Sequence, residues 1–271
     1  MCSFMEKIGL IAGNRNFPII FAQKAKQAGY YIVAVAIKGD TSRRLKNYAD
    51  KIYWIRIEEF KKMFGVFKQE DVTKIVMAGQ VNPRHLFNSR VMDNPEVKAL
   101  LENLKDKKAD TVFGVIAGKL EESGFELLDS TALVKDLLPK KGVLTRRQPD
   151  FREWQDVYFG LAIAKGIGLL DIGQAVGVKN KAVVAVEALE GTDALIRRAG
   201  RIARKGAIIV KVSKPKQDMR FDIPVVGPNT VKNLIRAGVS LLAIEAEKTL
   251  FIDREAALRL ADRKGISIVA V

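Results

Sequence analysis

Over the first part of the chain, apolar runs of strand length alternate with segments of helical character, and this alternation restricts the fold more than any other feature. Lys7–Ile11, Tyr31–Ile37, Ile52–Ile57 and Lys74–Ala78 read as short buried strands. Between them, Pro18 stands where a first helical residue belongs, after the turn Ala12–Phe17, and Glu58–Lys68 reads as a helix. Strands separated by helices pair in parallel with the helices packed on the sheet, so an α/β fold follows, Rossmann-like in the N-terminal domain. The first turn, Gly13-Asn14-Arg15-Asn16-Phe17, lacks the later glycines that bring backbone against a pyrophosphate, so a dinucleotide site has weak support. Gly79–His85 follows the fourth strand at the carboxyl edge, where open α/β sheets bind ligands; Gln80, Asn82, Arg84 and His85 are the contacts available there. His85 by itself reads as an ordinary loop histidine.

Pro95–Leu104 and Ala109–Ser123 read as helices, and Ser130 caps a short helix into Leu138. Prolines, glycine and clustered cations over 139–150 then mark a linker, which divides an N-terminal domain (1–138) from a C-terminal one (151–271). The second domain opens with a helix over Phe151–Ile167, its core stripe formed by Trp154, Val157, Leu161 and Ala164. Strands are expected at Ala175–Val178 and Lys181–Ala188 around a Lys179-Asn180 turn, then at Ala207–Val212, Ser240–Ala246 and Ser267–Val271, with helices between. This domain is also α/β, and the chain shows no internal repeat.

One cysteine, Cys2, excludes an internal disulfide and a multi-thiolate zinc site, and one histidine excludes multi-histidine metal centres. Any metal is therefore held by oxygen, which suits magnesium, manganese or calcium. The formal charge of +15 favours anionic partners: phosphates, nucleic acid or an anionic membrane surface. Apolar runs are too short to span a bilayer, and the N-terminus lacks a signal-peptide pattern, so a cytoplasmic location is expected.

Two acidic stretches carry the candidate chemistry. In Gln217–Pro224, an extended backbone would put Asp218, Arg220 and Asp222 on one face and Met219, Phe221 and Ile223 on the other. The same pattern also suits a charged edge strand that Pro224 terminates. In Glu187–Asp193, Gly191 permits a sharp turn and Thr192 or Asp193 can cap the next helix, whose first amides form an anion site. Arg197, Arg201 and Arg204 share a face of that helix, fit for phosphate or for solvent. Carboxylates gathered at neighbouring strand ends repel unless a cation lies between them, and magnesium with substrate phosphates would supply it.

Three segments then carry a resemblance, in order and spacing: Asp171-Ile172-Gly173-Gln174-Ala175-Val176; Val186-Glu187-Ala188-Leu189-Glu190-Gly191-Thr192-Asp193; and Val210-Lys211 followed by Lys214-Pro215-Lys216-Gln217-Asp218-Met219-Arg220-Phe221-Asp222-Ile223-Pro224-Val225-Val226-Gly227. They resemble the LpxI-type UDP-2,3-diacylglucosamine pyrophosphatases of lipid A synthesis, most specifically from Asp171 to Val271. The resemblance implies a magnesium-dependent hydrolase in which water attacks the α-phosphorus of UDP-2,3-diacylglucosamine, giving UMP and 2,3-diacylglucosamine 1-phosphate. It also implies two α/β domains that enclose the lipid, with the essential acids falling on Asp218 and Asp222. Family members show Gly-Leu-Ile-Ala-Gly-x-Gly-x-Leu-Pro near the N-terminus, and Arg15 replaces the second of the glycines that follow Ala.

Residue reading and resemblance together nominate Asp218, Asp222, Arg220 and Asp193 as catalytic. Gly13, Arg15, Gln80, Gln174, Glu190, Gly191, Thr192, Lys211 and Gln217 are nominated to bind substrate, and Asp218, Asp222 and Glu187 to bind Mg2+, with Mn2+ as the alternative. The expected partners are a UDP-linked acylated glucosamine and, peripherally, the anionic inner-membrane surface. No nucleic acid is expected, and a homodimer is carried as an option, the sequence leaving the oligomeric state open. Two other readings stand beside this one: a non-catalytic basic nucleotide- or nucleic-acid-binding protein, and a pyrophosphatase for another UDP-sugar.

Overall fold

Runs rich in β-branched and aliphatic residues become strands in both halves of the chain. The structure, a computed structural model, describes residues 5–82, 85, 88–102, 104, 109–215, 217–221 and 223–271. The chain divides into two units, one of Met1–Lys135 with Asp218–Asp222 and the other of Asp136–Gln217 with Ile223–Val271.

The first unit contains β1 (Lys7–Ala12), α1 (Phe17–Gln27), β2 (Tyr31–Ile37), β3 (Lys51–Ile55), α2 (Lys62–Gln69), β4 (Lys74–Ala78), α3 (Ser89–Met92), α4 (Pro95–Glu102), α5 (Ala109–Glu122) and β5 (Glu126–Leu127). Its sheet runs β3-β2-β1-β4-β5, every neighbouring pair parallel. Ile8, Leu10 and Ile32 to Ala36 are buried, as expected of central strands covered on both faces by crossover helices. Phe67, Leu120 and Phe125 close one core over Val33, Val35 and Ile75, with the Phe67 and Phe125 rings edge to face at 6.1 Å.

Two expected helices differ. The segment read as Glu58–Lys68 breaks into a 3₁₀ turn at Ile57–Glu59 and then α2, because the Glu59 carboxylate accepts the Arg56 N–H at 3.0 Å and closes a turn of its own. Ser130 caps no helix up to Leu138, where only a 3₁₀ turn, Lys135–Leu137, forms. Its hydroxyl lies instead 2.6 Å from the Met77 and Arg220 carbonyl oxygens, both within the first unit.

The second unit contains β6 (Gly142–Val143), α6 (Phe151–Leu169), β7 (Ala175–Lys179), β8 (Ala182–Val186), α7 (Thr192–Ala203), β9 (Ile208–Lys211), β10 (Val225–Val226), α8 (Pro228–Arg236), β11 (Leu241–Ile244), β12 (Leu250–Phe251), α9 (Arg254–Arg263) and β13 (Ser267–Ala270). Its main sheet runs β6-β13-β11-β9-β7-β8. β9, β11 and β13 are parallel; β6 pairs antiparallel with β13, β7 antiparallel with β9 and β8 antiparallel with β7, while β10 and β12 pair separately. Segment 139–150, read as a linker, supplies the edge strand β6 and then the α6 cap, where Asp150 and Glu153 exchange backbone hydrogen bonds of 2.8 and 3.1 Å.

The β7–β8 turn centres on Asn180 and Lys181, one residue later than expected, and both have positive φ (51° and 56°). Such a turn suits glycine, which neither position has. Asp156 of α6 compensates: its buried carboxylate accepts the Asn180 N–H at 2.8 Å and the Lys181 N–H at 2.6 Å. Asp156→Ala therefore removes two charge-assisted bonds and should cost about 2–4 kcal/mol of unfolding free energy in urea melts. A loss within experimental error would mean that the turn holds itself.

Candidate active site

In the first unit the strand order reverses between β1 and β4, and backbones cross closely at their carboxyl ends. The Gly13 N–H donates to Ala78 O at 2.8 Å and the Asn14 N–H to Gln80 O at 2.7 Å. A Cβ at Gly13 would lie 2.7 Å from Gln80 O, and one at Gly79 would lie 2.6 Å from Asn14 O, so both positions are restricted to glycine by backbone they cannot push aside. Gln80 is exposed on this edge, and Asn14 Oδ1 is buried without a hydrogen-bond partner among the described residues. Ligands of open α/β sheets bind at such a switch point.

Arg15 occupies this turn with φ 67°, the left-handed region in which a non-glycine residue is strained by about 1–2 kcal/mol. The position has a glycine's backbone and an arginine's side chain. Arg15→Gly should leave stability unchanged or raise it by up to about 1 kcal/mol in thermal melts, since relief of strain offsets the greater freedom of the unfolded chain. A clear loss of stability would show that the side chain holds the turn.

His85 Nε2 lies 3.2 Å from Asp40 Oδ2, which also accepts the Asn82 N–H at 2.9 Å. Arg84 lies outside the described residues.

The described residues of Gln217–Pro224 form no strand. Asp218 Oδ1 accepts the Arg220 N–H at 3.0 Å, the two-residue side-chain-to-backbone closure typical of aspartate, and Met219–Phe221 forms a turn. The alternation expected of an extended backbone is lost, but two of its pairings survive by another route. Arg220 forks onto Asp218, with Nε 3.0 and 3.1 Å from the two oxygens and Nη2 2.7 Å from Oδ2. Phe221 packs into the first unit's core, its ring 6.0 Å from Phe113. Arg220 Nη1 also donates to Glu121 Oε1 at 2.5 Å, a partner 99 residues away that no local pattern signals. The Arg220 guanidinium holds the Asp218 carboxyl below the ordinary aspartate range, and Asp218 in turn raises Arg220. Asp218 is thus a fixed anion at neutral pH, suited to orienting charge and poor as a proton acceptor. Asp222 lies outside the described residues.

In the second unit, Gln174, Glu187 and Lys211 stand at one edge of the sheet, at the start of β7 and the ends of β8 and β9. Ala175 is registered with Lys211, and the Glu187 N–H donates to Ala175 O at 2.9 Å. A Cβ at Gly173 would lie 2.1 Å from Glu187 O, so this edge closes only around glycine. Gly191, at φ 82°, turns the chain into α7. Lys211, buried, donates to Thr192 Oγ1 at 2.9 Å, and the Thr192 hydroxyl donates to Glu187 Oε1 at 2.7 Å. The other Glu187 oxygen, Oε2, and Gln174 Oε1 are buried with no partner among the described residues. Two orphaned acceptors beside a buried lysine are the donor set of a site that receives a cation or a ligand hydrogen-bond donor together with an anion.

Other nominated residues have structural partners. Asp193 Oδ1 accepts from Asn233 Nδ2 of α8 at 2.9 Å, and Glu190 pairs with Arg198 at 3.1 Å. Arg198 also donates to Val186 O, whereas Arg197, Arg201 and Arg204 are exposed. Gln217 Oε1 accepts the Lys214 N–H at 2.6 Å and holds the loop after β9.

Glu245 is not among the nominated residues; in the sequence it interrupts the apolar run Val239–Ala246 and falls within the stretch that carries the family resemblance. It follows β11 on the same edge and joins Lys165 Nζ at 2.5 Å, the Ser213 N–H at 2.9 Å and Lys248. Burial opposes its ionisation, but Lys165, Lys248 and the Ser213 amide outweigh that and lower its pKa. Among the described residues, no group of three or more histidine, cysteine or acidic side chains forms a ready metal cage.

The LpxI N-terminal domain family matches residues 7–137, and the LpxI C-terminal domain family matches residues 140–269. The UDP-2,3-diacylglucosamine pyrophosphatase LpxI of Caulobacter vibrioides is 32% identical over 279 residues, covering 98% of both chains. Solved structures show more distant similarity. The biotin carboxylase subunit of pyruvate carboxylase is 14% identical, with a TM-score of 0.29, over 74% of this chain and 42% of that one. Glycinamide-RNase-transformylase T from Mycobacterium tuberculosis is 14% identical, with a TM-score of 0.25, over 68% of this chain and 44% of that one, so this chain spans less than half of either structure. With matches to both of its domains and a curated relative aligned over nearly its whole length, the chain belongs to the LpxI family.

Proposed function

We propose that this chain hydrolyses the pyrophosphate bond of UDP-2,3-diacylglucosamine, giving UMP and 2,3-diacylglucosamine 1-phosphate. The observation that carries the reading is the match to the Caulobacter vibrioides pyrophosphatase over 98% of both chains. The forked Asp218–Arg220 pair and the buried Lys211–Thr192–Glu187 chain agree with it, since both offer cationic donors fixed by carboxylates, the arrangement that phosphoryl oxygens require. Water attacks the α-phosphorus, the bond from that phosphorus to the bridging oxygen breaks, and the oxygen leaves on the sugar phosphate. Arg220 is the cation offered to phosphoryl oxygens in the first unit and Lys211 the one in the second, and Asp222 is assigned to accept the water proton, because Arg220 lowers the Asp218 pKa and makes that carboxylate a poor base.

A hard divalent cation fits the donor chemistry, since Glu187 has a buried carboxylate oxygen to offer and magnesium needs only one or two protein carboxylates. Glu187 in the second unit, and separately Asp218 in the first, are the described carboxylates nominated to hold Mg2+, or Mn2+ in its place. When bound, the ion supplies neutralisation of phosphate charge and an ordered water. No helix among the described residues is long and apolar enough to cross a membrane. The charge of +15 suits a protein that meets its lipid at an anionic membrane surface.

Purified protein with magnesium should release UMP from UDP-2,3-diacylglucosamine much faster than from unacylated UDP-N-acetylglucosamine. Equal rates on both would assign the enzyme to another UDP-sugar, and no release from either would remove the hydrolase reading.

A further inference from the structure

Beside the switch point, at the carboxyl ends of β2 and β3, the first unit has a cavity of about 580 Å³ lined by Lys38, Gly39, Thr41, Arg43, Lys46 and Trp54. None of these six residues belongs to the motifs that point to the hydrolase. The volume lies within the roughly 300–1,000 Å³ of small-molecule sites.

Its walls are built. The Thr41 hydroxyl donates to Ala12 O at 2.5 Å and accepts the Ile37 N–H at 2.9 Å, tying the turn after β2 to the end of β1. The Lys38 N–H donates to Ile55 O at 2.8 Å, which ties the same turn to β3 just beyond Trp54. Ser42 then caps a 3₁₀ helix, Arg43–Asn47, anchored by fully buried Leu45. Side chains three apart eclipse in a 3₁₀ helix, so Arg43 and Lys46 project together.

The charge here is unbalanced. Lys38, Arg43 and Lys46 are exposed, and none forms an ion pair with a described residue, whereas many other lysines and arginines of this unit do. The acid of the turn, Asp40, has a side chain only 5% exposed and bonded to the Asn82 N–H and His85. Three cations therefore surround a half-buried indole with no acid among the described residues paired to them.

Cations supply phosphate contacts, and an indole supplies a stacking face for a flat ring, so one ligand class satisfies both. The end of the second strand is also where doubly wound sheets of this strand order take the ribose of a nucleotide, an arginine there accommodating a ribose phosphate. We infer that the Lys38–Arg43–Lys46–Trp54 cavity is a nucleoside-phosphate site, with the base stacked on Trp54 and the phosphate held by the three cations. A single aromatic in an open cleft suits one nucleotide and not a nucleic-acid strand, which needs successive stacking platforms. This inference does not rest on the hydrolase reading.

Trp54 and Trp154 are the two tryptophans, so Trp154→Phe leaves Trp54 as the sole indole reporter in the full chain. UMP, AMP, ribose 5-phosphate and inorganic phosphate are titrated against its fluorescence at fixed ionic strength without metal. Saturable quenching by a nucleotide is expected, about tenfold or more tighter than for ribose 5-phosphate. Arg43→Ala with Lys46→Ala should weaken it about tenfold or more, while Lys68→Ala, an exposed lysine on α2, should leave it unchanged. Trp54→Leu, followed by calorimetry, should remove the preference for nucleotide over ribose 5-phosphate.

No saturable binding, equal affinity for ribose 5-phosphate, or an equal loss in Lys68→Ala would each overturn the site. Displacement of UMP by UDP-2,3-diacylglucosamine would identify the occupant as the substrate's uridine phosphate. Binding of UMP that leaves the substrate KM unchanged would identify a separate nucleotide. The titration needs no turnover, so its failure is distinct from failure of the hydrolase reading.

Discussion

Asp218→Asn is expected to lower kcat for UMP release roughly a hundred- to a thousand-fold, the usual effect of removing one fixed electrostatic contributor to phosphoryl chemistry. The substitution keeps the shape and removes the charge that orients Arg220 through three contacts of 2.7 to 3.1 Å. The guanidinium would keep Glu121 and one neutral acceptor, while the new amide N–H₂ would oppose the second arm of the fork. Stability should change by no more than about 1 kcal/mol, because the pair is partly exposed and screened. The pH dependence separates orientation from proton transfer. With its pKa depressed, Asp218 adds stability above the unfolded-chain value of about 4, and that contribution is lost as pH falls below it. Asp218→Asn should therefore show a shallower fall of Tm in acid while the neutral-pH rate stays low. Wild-type turnover at neutral pH would exclude Asp218 from the site.

Glu187→Gln should have a comparable effect through different chemistry. The amide can still accept the Thr192 hydroxyl, but it places an N–H₂ donor where buried Oε2 now offers an acceptor. A cation or ligand donor at that point would meet a donor, so turnover should fall about a hundredfold, and the magnesium concentration for half-maximal rate should rise at least about tenfold. The fold should persist with a loss of about 1–2 kcal/mol, measured by denaturant melts. Glu187→Ala is the harsher change: it removes the acceptor of the Thr192 hydroxyl to which buried Lys211 donates, and about 2–3 kcal/mol should be lost. Unaltered rate and magnesium dependence in Glu187→Gln would restrict Glu187 to a structural role.

The reach of the sequence is clearest at its strands and glycines. Lys7–Ile11 and Tyr31–Ile37 declare themselves by length and apolar content, and alternation with helices implies parallel pairing, because a crossover of that length returns the chain in the same direction. Gly13, Gly173 and Gly191 stand beside the candidate motifs in the sequence, and each is held there by a close backbone approach or a positive φ. The low count of histidine and cysteine left carboxylates as the available metal donors before any fold was known.

Gln217–Pro224 marks where this reading stops. Alternation of charged and apolar residues is a sound strand signal, yet aspartate bonding to the amide two residues on competes with extended pairing and here prevails. By itself the sequence determined the two α/β halves, the acidic motifs and the family. Only tertiary structure decided that Glu121 meets Arg220, that Asp156 supports a turn lacking glycine, and that three cations gather around Trp54. Those groupings join residues of different elements, and their energies arise from burial and fixed geometry, which exist only once the strands and helices have packed.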